Sequence, residues 1–246
     1  MHGDRQVTDA RDAAPTSGPV PRVRGQRLAR DARRTQVLEV AEELFSTQGF
    51  HHVSMDDIAE RACVGKPVLY RHFPSKLDLY LAVVDGRGDV LLHEVEAALQ
   101  PLGDGPVLAG DGRRVVDAVV RAFFAFVAGS GASSNLLFES DVTHDPAVRA
   151  RVESATGQVE QRVATVLGSA AGLAPAPAGL ASVALIALVR AAATHHWRHP
   201  DRLPADEAVA LVSTLCWDGV VTVARGDRPD RPDRTDPTDP TDPADR

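Results

Sequence analysis

The side chains best suited to binding phosphate are concentrated in one short segment. Lys66 and Lys76 are the only lysines in the chain, which otherwise carries its positive charge on arginine. Between them lie Tyr70, Arg71 and His72. Ammonium, guanidinium, phenol and imidazole groups contact phosphate oxygens and base edges, so this segment has the chemistry of a nucleic-acid contact. Chance placement of the two lysines is the alternative.

Helix-start and helix-stop signals place these side chains on a short helix. Ser54 and Asp57 form a capping box, which predicts the start of one short helix. Residues 63–65 form a break, Pro67 suits the first turn of a second short helix, and Pro74 ends it. Two short helices joined by a three-residue turn form a helix–turn–helix, whose second helix enters the DNA major groove.

The candidate DNA contacts lie on the outer side of this second helix and at the neighbouring helix starts. Leu69 and Phe73, at i, i+4 spacing, are expected to point inward. Lys66 and Lys76 each begin a helix, where free N–H groups also attract phosphate. The predicted DNA-contacting set is Ser54, Met55, Gly65, Lys66, Pro67, Val68, Tyr70, Arg71, His72 and Lys76.

The stretch from Ser54 to Lys76 closely resembles the DNA-binding region of TetR-type regulators. Residues 41–45 and 48–50 also fit the first helix of that family, and the match covers roughly residues 33–85. The motifs that carry it are Ile58-Ala59, Leu69-Tyr70 and Phe73-Pro74-Ser75-Lys76.

Four positions in this stretch differ from the family pattern. Cys63 stands where the family usually has Gly, Gly65 replaces a common Ser that contacts phosphate, and residues 67–68 replace a common Gly-Thr. These differences leave the expected fold unchanged. They leave the operator sequence open.

The resemblance implies an all-α, TetR-like fold in two parts. Residues 33–80 would form an N-terminal three-helix domain that binds DNA through the helix–turn–helix. Residues 81–225 would form a helical domain for effector binding and dimerisation, so the protein would be a homodimer on palindromic double-stranded DNA. The implied output is repression that a small-molecule effector releases. Activation, the effector and the regulated genes stay open.

Apolar periodicity predicts helices through the rest of the chain. The first spans about Arg33 to Gln48, and a long one starts at Ser75. Gly86 and Gly88 lie midway along that long helix, where they either let it bend or allow close packing. Further helices are predicted near residues 113–129, 134–142, 146–168, 177–199 and 204–225.

Both ends of the chain have compositions typical of disorder. Residues 1–32 form an Arg-rich arm and residues 226–246 an Asp/Pro-rich tail. The arginines within residues 22–34 either follow the DNA minor groove or are simply solvated.

The bulk composition suits a helical globular protein. The 246 residues are 43% hydrophobic and only 4% aromatic, so Leu, Val and Ala must build the core. The net charge of −7 by itself argues against nucleic-acid binding. Net charge is an average over the chain, however, and a local basic face is enough to bind nucleic acid. The sequence shows no signal-peptide pattern and no apolar run of membrane-spanning length, which predicts a cytoplasmic protein without membrane contact.

Aromatic side chains in the second half of the chain mark where an effector pocket would be sought. Phe123, Phe126, Phe138 and Trp197 either line such a pocket or fill the core. Arg190 interrupts an apolar helix, and it either pairs with an acid, faces a ligand or reaches the dimer rim.

Other reactive residues carry weaker signals. His195, His196 and His199 include a metal-ligand spacing, but no neighbouring ligand completes a site, so helix-end histidines are favoured and no metal or cofactor is expected. Cys63 is either an oxidation sensor or a small, half-buried turn residue. No G-x-S-x-G, phosphate-loop or H-E-x-x-H motif occurs, so an enzyme is not predicted.

Overall fold

The chain folds as a set of packed α-helices in the computed structural model, which describes residues 22–103, 111–138, 142 and 144–224. No strand occurs within those ranges, so the all-α prediction is confirmed. The α-helices are α1 (Arg22–Gln48), α2 (Met55–Arg61), α3 (Lys66–His72), α4 (Lys76–Gly103), α5 (Gly112–Ser130), α6 (Asn135–Phe138), α7 (Pro146–Ala171), α8 (Pro175–Arg198) and α9 (Ala205–Ala224). Short 3-10 turns cover Gly131–Ser134 and Pro200–Arg202.

The start of α1 differs from the sequence prediction. The helix begins at Arg22 rather than near Arg33, so the prediction that residues 22–32 are disordered is wrong. Arginine, alanine and leucine favour helix, but this stretch has no continuous apolar stripe, and apolar periodicity therefore could not mark its start. The rest of the predicted arm, residues 1–21, and the predicted tail, residues 226–246, lie outside the described residues.

The capping box at the start of α2 forms as predicted. The Ser54 hydroxyl accepts a hydrogen bond from the Asp57 N–H at 3.1 Å, and the Asp57 carboxylate accepts one from the Ser54 N–H at 2.8 Å. The Ser54 hydroxyl also donates to this carboxylate, and these bonds lower the pKa of Asp57. Cys63, in the turn between α2 and α3, has a positive φ of 51° and is exposed rather than half-buried.

The first turns of α4 belong to the core of the N-terminal unit that they form with α1, α2 and α3, here called the head. Tyr80 is fully buried, and its ring packs edge-on against Phe45 of α1 at 5.2 Å and Phe50 of the following loop at 5.1 Å. The Lys76 ammonium donates hydrogen bonds to the carbonyls of Phe50 and Val53, each at 2.9 Å. One helix therefore completes the head and continues into the rest of the protein.

The body of the molecule is a helical bundle built around α4, α5 and α7. The α4 helix packs against α5 and α7, α7 packs against α8, and α5 packs against both α8 and α9. Helix α7 begins after the N-cap residue Asp145, whose carboxylate accepts a hydrogen bond from the Ala147 N–H at 2.8 Å. Of the helix predicted near 134–142, the structure describes the single turn α6, and residues 139–141 lie outside the described part.

Two apolar segments of this body are long enough to cross a bilayer by length and composition, residues Gly112–Phe138 and Pro175–Arg198. Half of the most apolar stretch of the first segment is buried inside the protein, and a third of the most apolar stretch of the second segment is buried. The sequence prediction recognised neither, because it counted only unbroken apolar runs.

Candidate DNA interface and effector cavity

The short helix α3 presents one side to solvent and the other to the core. Leu69 is fully buried and Phe73, just past the helix end, is 3% exposed. The opposite side is open, and Tyr70 has 45% of its surface exposed. The predicted contacts Gly65, Lys66, Pro67 and Arg71 are also exposed, while Val68 and His72 are half-buried. The structure thus brings these candidates together on one outward side of a helix–turn–helix.

Lys66, at the first turn of α3, is held by a residue of α2. Its ammonium lies 2.8 Å from the Asp56 carboxylate, and this hydrogen bond raises the pKa of Lys66. The side chains of Lys66 and Asp56 are 60% and 61% exposed. An ion pair this exposed stabilises a protein by little, so a DNA phosphate can replace the Asp56 carboxylate.

A basic cluster lies at the other end of α3, formed by Arg30 and Arg34 of α1 with Arg71 and His72 of α3. Burial, followed by the charges of Arg30, Arg71 and Arg34, lowers the pKa of His72. The Arg34 guanidinium lies 5.1 Å from the centre of the Phe73 ring. The sequence prediction placed Arg30 in a disordered arm, and it missed that α1 carries these arginines to the end of α3.

Three residues of the predicted DNA-contacting set make contacts within the protein. Met55 is only 8% exposed, so the prediction that its side chain faces DNA is wrong; with Ile58 and Ala59 it forms the inner side of α2. The Lys76 ammonium is engaged by loop carbonyls and lies 4.3 Å from the Phe50 ring centre, so it holds the loop before α2, and its DNA contact stays a prediction. Ser54 remains exposed, but its hydroxyl caps α2.

A cavity of about 210 Å³ lies in the body between α4, α5, α6, α7 and α8. Its apolar walls include Leu91, Phe123, Phe138, Val159 and Ile186. Its polar groups are Thr156, Glu160 and Arg190, and the Arg190 guanidinium lies 5.6 Å from the Phe138 ring centre. An apolar cavity with a few polar groups is the arrangement that binds small molecules.

The predicted pocket aromatics divide into two groups. Phe123 and Phe138 line the cavity, whereas Phe126 lies behind Phe138 with ring centres 6.0 Å apart. Trp197 is not among the described lining residues, and it lies close to Gly131 instead. Arg190 faces the cavity, which was one of the alternatives that the sequence left open.

The helix-end histidines are placed for structural contacts. A ring nitrogen of His196 lies 2.9 Å from the carbonyl oxygen of Leu203, in the connection to α9. Across the described ranges, no group of three His, Cys, Asp or Glu side chains is placed to hold a metal ion.

Comparison with known proteins agrees with the geometry of the helix–turn–helix. The sequence model "Bacterial regulatory proteins, tetR family" matches residues 37–83. The chain is also 38% identical over 198 residues to the HTH-type transcriptional activator FasR of Mycolicibacterium smegmatis, covering 80% of this chain and 87% of that protein. The chain belongs to the TetR family of transcription regulators.

Solved structures extend the likeness beyond the DNA-binding head. A TetR-like transcriptional regulator from Rhodococcus sp. RHA1 is 29% identical and superposes with a TM-score of 0.60 over 76% of this chain and 95% of that one. A transcriptional regulator from Pseudomonas aeruginosa PAO1, at 19% identity, shares the fold with a TM-score of 0.69 over 84% of this chain and 99% of that one. The TetR-like fold of head and helical body is thereby confirmed.

As a member of the TetR family, the chain is a DNA-binding transcription regulator and not an enzyme. This assignment accounts for the two long apolar helical segments as parts of the helical body. It also accounts for the exposed side of α3, which is the surface through which a helix–turn–helix reads DNA.

Proposed function

We propose that the protein is a homodimer that binds a palindromic operator through α3, and that a small molecule in the cavity changes its affinity for that operator. The observation that carries the proposal is the outward side of α3. There Tyr70 lies between Lys66 at one end and the basic cluster of Arg30, Arg34, Arg71 and His72 at the other. Base-facing and phosphate-facing groups are therefore combined on one surface, as operator reading requires.

The dimer is supported by an apolar face on α8 and α9 that nothing in the single chain covers within the described ranges. Leu180 is 74% exposed, Leu215 57% and Leu188 41%. Small residues beside them, Ala184 and Gly219, help line a groove of about 260 Å³ on this face and allow close helix approach. Pairing two such faces as a four-helix bundle would hold two α3 helices for half-sites about 34–36 Å apart.

The effector is proposed to be a small, mainly apolar molecule with one polar or anionic group. Apolar side chains form most of the cavity wall, so burial of apolar surface would drive binding. Arg190 supplies the cationic group for an anionic or polar end, and Glu160 limits how much negative charge the cavity accepts.

The proposed output is activation from the bound operator, in the cytoplasm. The sequence prediction was repression, but the relative that is 38% identical over most of both chains carries the name of a transcriptional activator. Reporter transcription from the operator decides between the two. Transcription that rises when the protein is added supports activation, and transcription that falls supports repression.

Selection of bound duplexes from random DNA tests the proposal of operator reading. The full-length protein is expected to enrich a palindrome, and Tyr70→Ala with Arg71→Ala is expected to abolish enrichment while the protein stays dimeric. Arg121→Ala removes an exposed arginine of α5 and is the matched control. Enrichment of no sequence by the wild type, or equal enrichment by the α3 variant, contradicts the proposal.

Octanoate, a simple amphipathic anion, is the probe for the cavity. Calorimetry is expected to detect its binding to the wild type and weaker binding to Arg190→Met. Arg162→Met, which alters a partly buried arginine of α7 that does not line the cavity, is the control. Equal binding by wild type and Arg190→Met would contradict the assignment of Arg190.

A further inference from the structure

Arg87 of α4 connects three helices at the boundary between the DNA-binding head and the body. One guanidinium nitrogen lies 2.8 Å from the Glu42 carboxylate of α1. Another donates a hydrogen bond to the Ser130 hydroxyl, at the end of α5, at 2.9 Å. The side chain of Arg87 is only 14% exposed and that of Glu42 28%. The pair is therefore better shielded from solvent and salt than the other ion pairs of the described chain.

Aromatic contacts join Arg87 to the cavity. The guanidinium lies 5.3 Å from the centre of the Phe126 ring. Phe126 packs edge-on against Phe138, with ring centres 6.0 Å apart, and Phe138 lines the cavity. Leu91, which also lines the cavity, lies four residues after Arg87 on α4, one helical turn away. A molecule in the cavity would therefore contact the Phe138 ring, which packs against Phe126, and Phe126 in turn contacts the Arg87 guanidinium.

Glu42 joins Arg87 to the DNA-reading helices, because α1 holds the helix–turn–helix. The Gln36 amide of α1 donates a hydrogen bond to the carbonyl of Ala62, which ends α2, at 3.1 Å. Arg61 of α2 forms an ion pair with Glu43 of α1 at 2.8 Å. A displacement of α1 relative to the part of α4 around Arg87 would thus be passed to α2 and α3.

One donor of the Arg87 guanidinium is unpaired in this arrangement. Its Nε is buried and has no hydrogen-bond partner among the described residues. A buried donor without a partner costs free energy, which offsets part of what the other contacts of Arg87 contribute. Displacing this side chain therefore costs less free energy than it would if every donor were paired.

We propose that Arg87 is a positioning residue that couples occupancy of the cavity to the orientation of the DNA-binding head through its ion pair with Glu42. An occupant that moves Phe138 moves Phe126, and the guanidinium packed on Phe126 moves with it. Glu42 follows because its carboxylate is bound to that guanidinium, and α1 then turns the reading helices. The inference rests on the proposed function, since it requires that the cavity control DNA binding.

A double-mutant cycle on full-length protein tests the coupling without an identified effector. Thr156→Phe places a ring in the cavity from α7 and imitates an occupant, with Thr156→Met as a smaller filler. We expect either filler to change the operator dissociation constant by about five-fold or more in the wild-type background. With Arg87→Met, the same filler is expected to change it less than about two-fold.

Two further variants separate coupling from folding. Glu42→Gln keeps a hydrogen-bond acceptor and removes only the charge, so it provides a folded variant if Arg87→Met unfolds. Arg151→Met breaks another ion pair of α4, the 2.6 Å contact of Arg151 with Asp85, which does not involve α1. It is expected to leave the response to the filler intact. Thermal unfolding measured beside each dissociation constant reports any change in stability.

The outcomes distinguish the two proposals. A filler response that is the same in the wild type, Arg87→Met and Glu42→Gln overturns the role of Arg87 and leaves the cavity as a control site. Fillers without effect on operator binding in the wild type overturn both the role of Arg87 and the control of DNA binding by the cavity. A response lost in Arg151→Met as well as in Arg87→Met also overturns the inference, because the effect would then be general to α4.

Discussion

Gly88 of α4 lies against Ala155 of α7 so closely that a Cβ atom at position 88 would be 2.6 Å from the Cβ of Ala155. Gly88 is also buried, whereas Gly86 is exposed and a Cβ there would meet nothing within 4 Å. Of the two hypotheses that the sequence allowed for these glycines, close packing therefore holds for Gly88. The α4 helix can approach α7 this closely only because position 88 has no side chain.

Alanine substitutions at the two glycines are expected to have opposite effects on stability. Gly88→Ala should lower the free energy of unfolding by about 1–3 kcal/mol, because the two helices must separate. Gly86→Ala should raise it by up to about 1 kcal/mol, through the higher helix propensity of alanine. Urea denaturation of both variants checks this. Equal effects at positions 86 and 88 would contradict the packing role.

Cys63 is expected to be less stable than glycine at its position. Its φ of 51° lies in the left-handed region, which costs an ordinary residue roughly 1 kcal/mol. Cys63→Gly should therefore raise the free energy of unfolding by about 1 kcal/mol, and Cys63→Ala should leave it nearly unchanged. Chemical denaturation measures both, and a Cys63→Gly variant less stable than Cys63→Ala would show that the turn is not strained.

The two lysines are expected to separate into a DNA-binding one and a structural one. Lys76→Met should lower the free energy of unfolding by about 1.5–3 kcal/mol, because the loop carbonyls of Phe50 and Val53 lose a charged donor. Lys66→Met should leave stability nearly unchanged, since its ion pair with Asp56 is exposed.

DNA binding supplies the second measurement on the lysines. Lys66→Met should reduce the dependence of log K on log salt by about one unit, as expected for one lost phosphate contact. Lys76→Met should leave that slope unchanged under conditions where it is folded. A slope that falls for Lys76→Met instead would restore Lys76 to the DNA-contacting set.

His72 is expected to make operator binding stronger as the pH falls. Burial and the charges of Arg30, Arg71 and Arg34 hold its pKa in the free protein below the ordinary 6.5, while Asp31 opposes them weakly. A nearby DNA phosphate would raise this pKa in the complex, so binding takes up a proton and affinity rises as the pH falls toward the lowered pKa of the free protein. Titrations between about pH 5.5 and 7.5 of the wild type and His72→Gln test this. A pH dependence that is unchanged in His72→Gln would exclude His72 as its source.

A charge on the apolar face of α8 and α9 is expected to abolish the dimer. Leu188→Asp or Leu215→Asp would bury an uncompensated carboxylate between subunits, at a cost of several kcal/mol. Sedimentation should find a dimer for the wild type and for Ala97→Asp, an exposed site on α4, and a monomer or aggregate for the leucine variants. A monomeric wild type at micromolar concentration would contradict the proposed dimer.

Local signals made the helix–turn–helix predictable. The capping box at Ser54, Pro67 in a first turn and Pro74 after a last turn act within a few residues, and the bounds of α2 and α3 follow from them. The buried side of α2 could also be predicted from the sequence, because Met55, Ile58 and Ala59 have the i, i+3, i+4 spacing of one helix face. Reading Met55 as a DNA contact overlooked that spacing.

Contacts between distant parts of the chain were not predictable in the same way. Lys76 reaches carbonyls that lie more than twenty residues earlier, and Arg87 pairs with Glu42 across 45 positions. No local pattern distinguishes Arg87 from the other arginines of the chain. The cavity likewise depends on how five helices meet, so the sequence could offer its aromatic residues but not decide that Phe138 lines it and Trp197 does not.

The burial of Tyr80 beneath Phe45 and Phe50, together with the hold of Lys76 on the loop before α2, limits how this regulator can be recombined with others. A chimera joined at the end of α3 would take the reading helix from its donor protein. It would lack the donor's Lys76 and Tyr80, which help to keep the head folded. A junction placed within α4 after Val84 would carry both groups along. Position 87 would then come from the recipient protein. The transferred head would therefore bring its operator preference but not the Arg87 side chain that is proposed to control it.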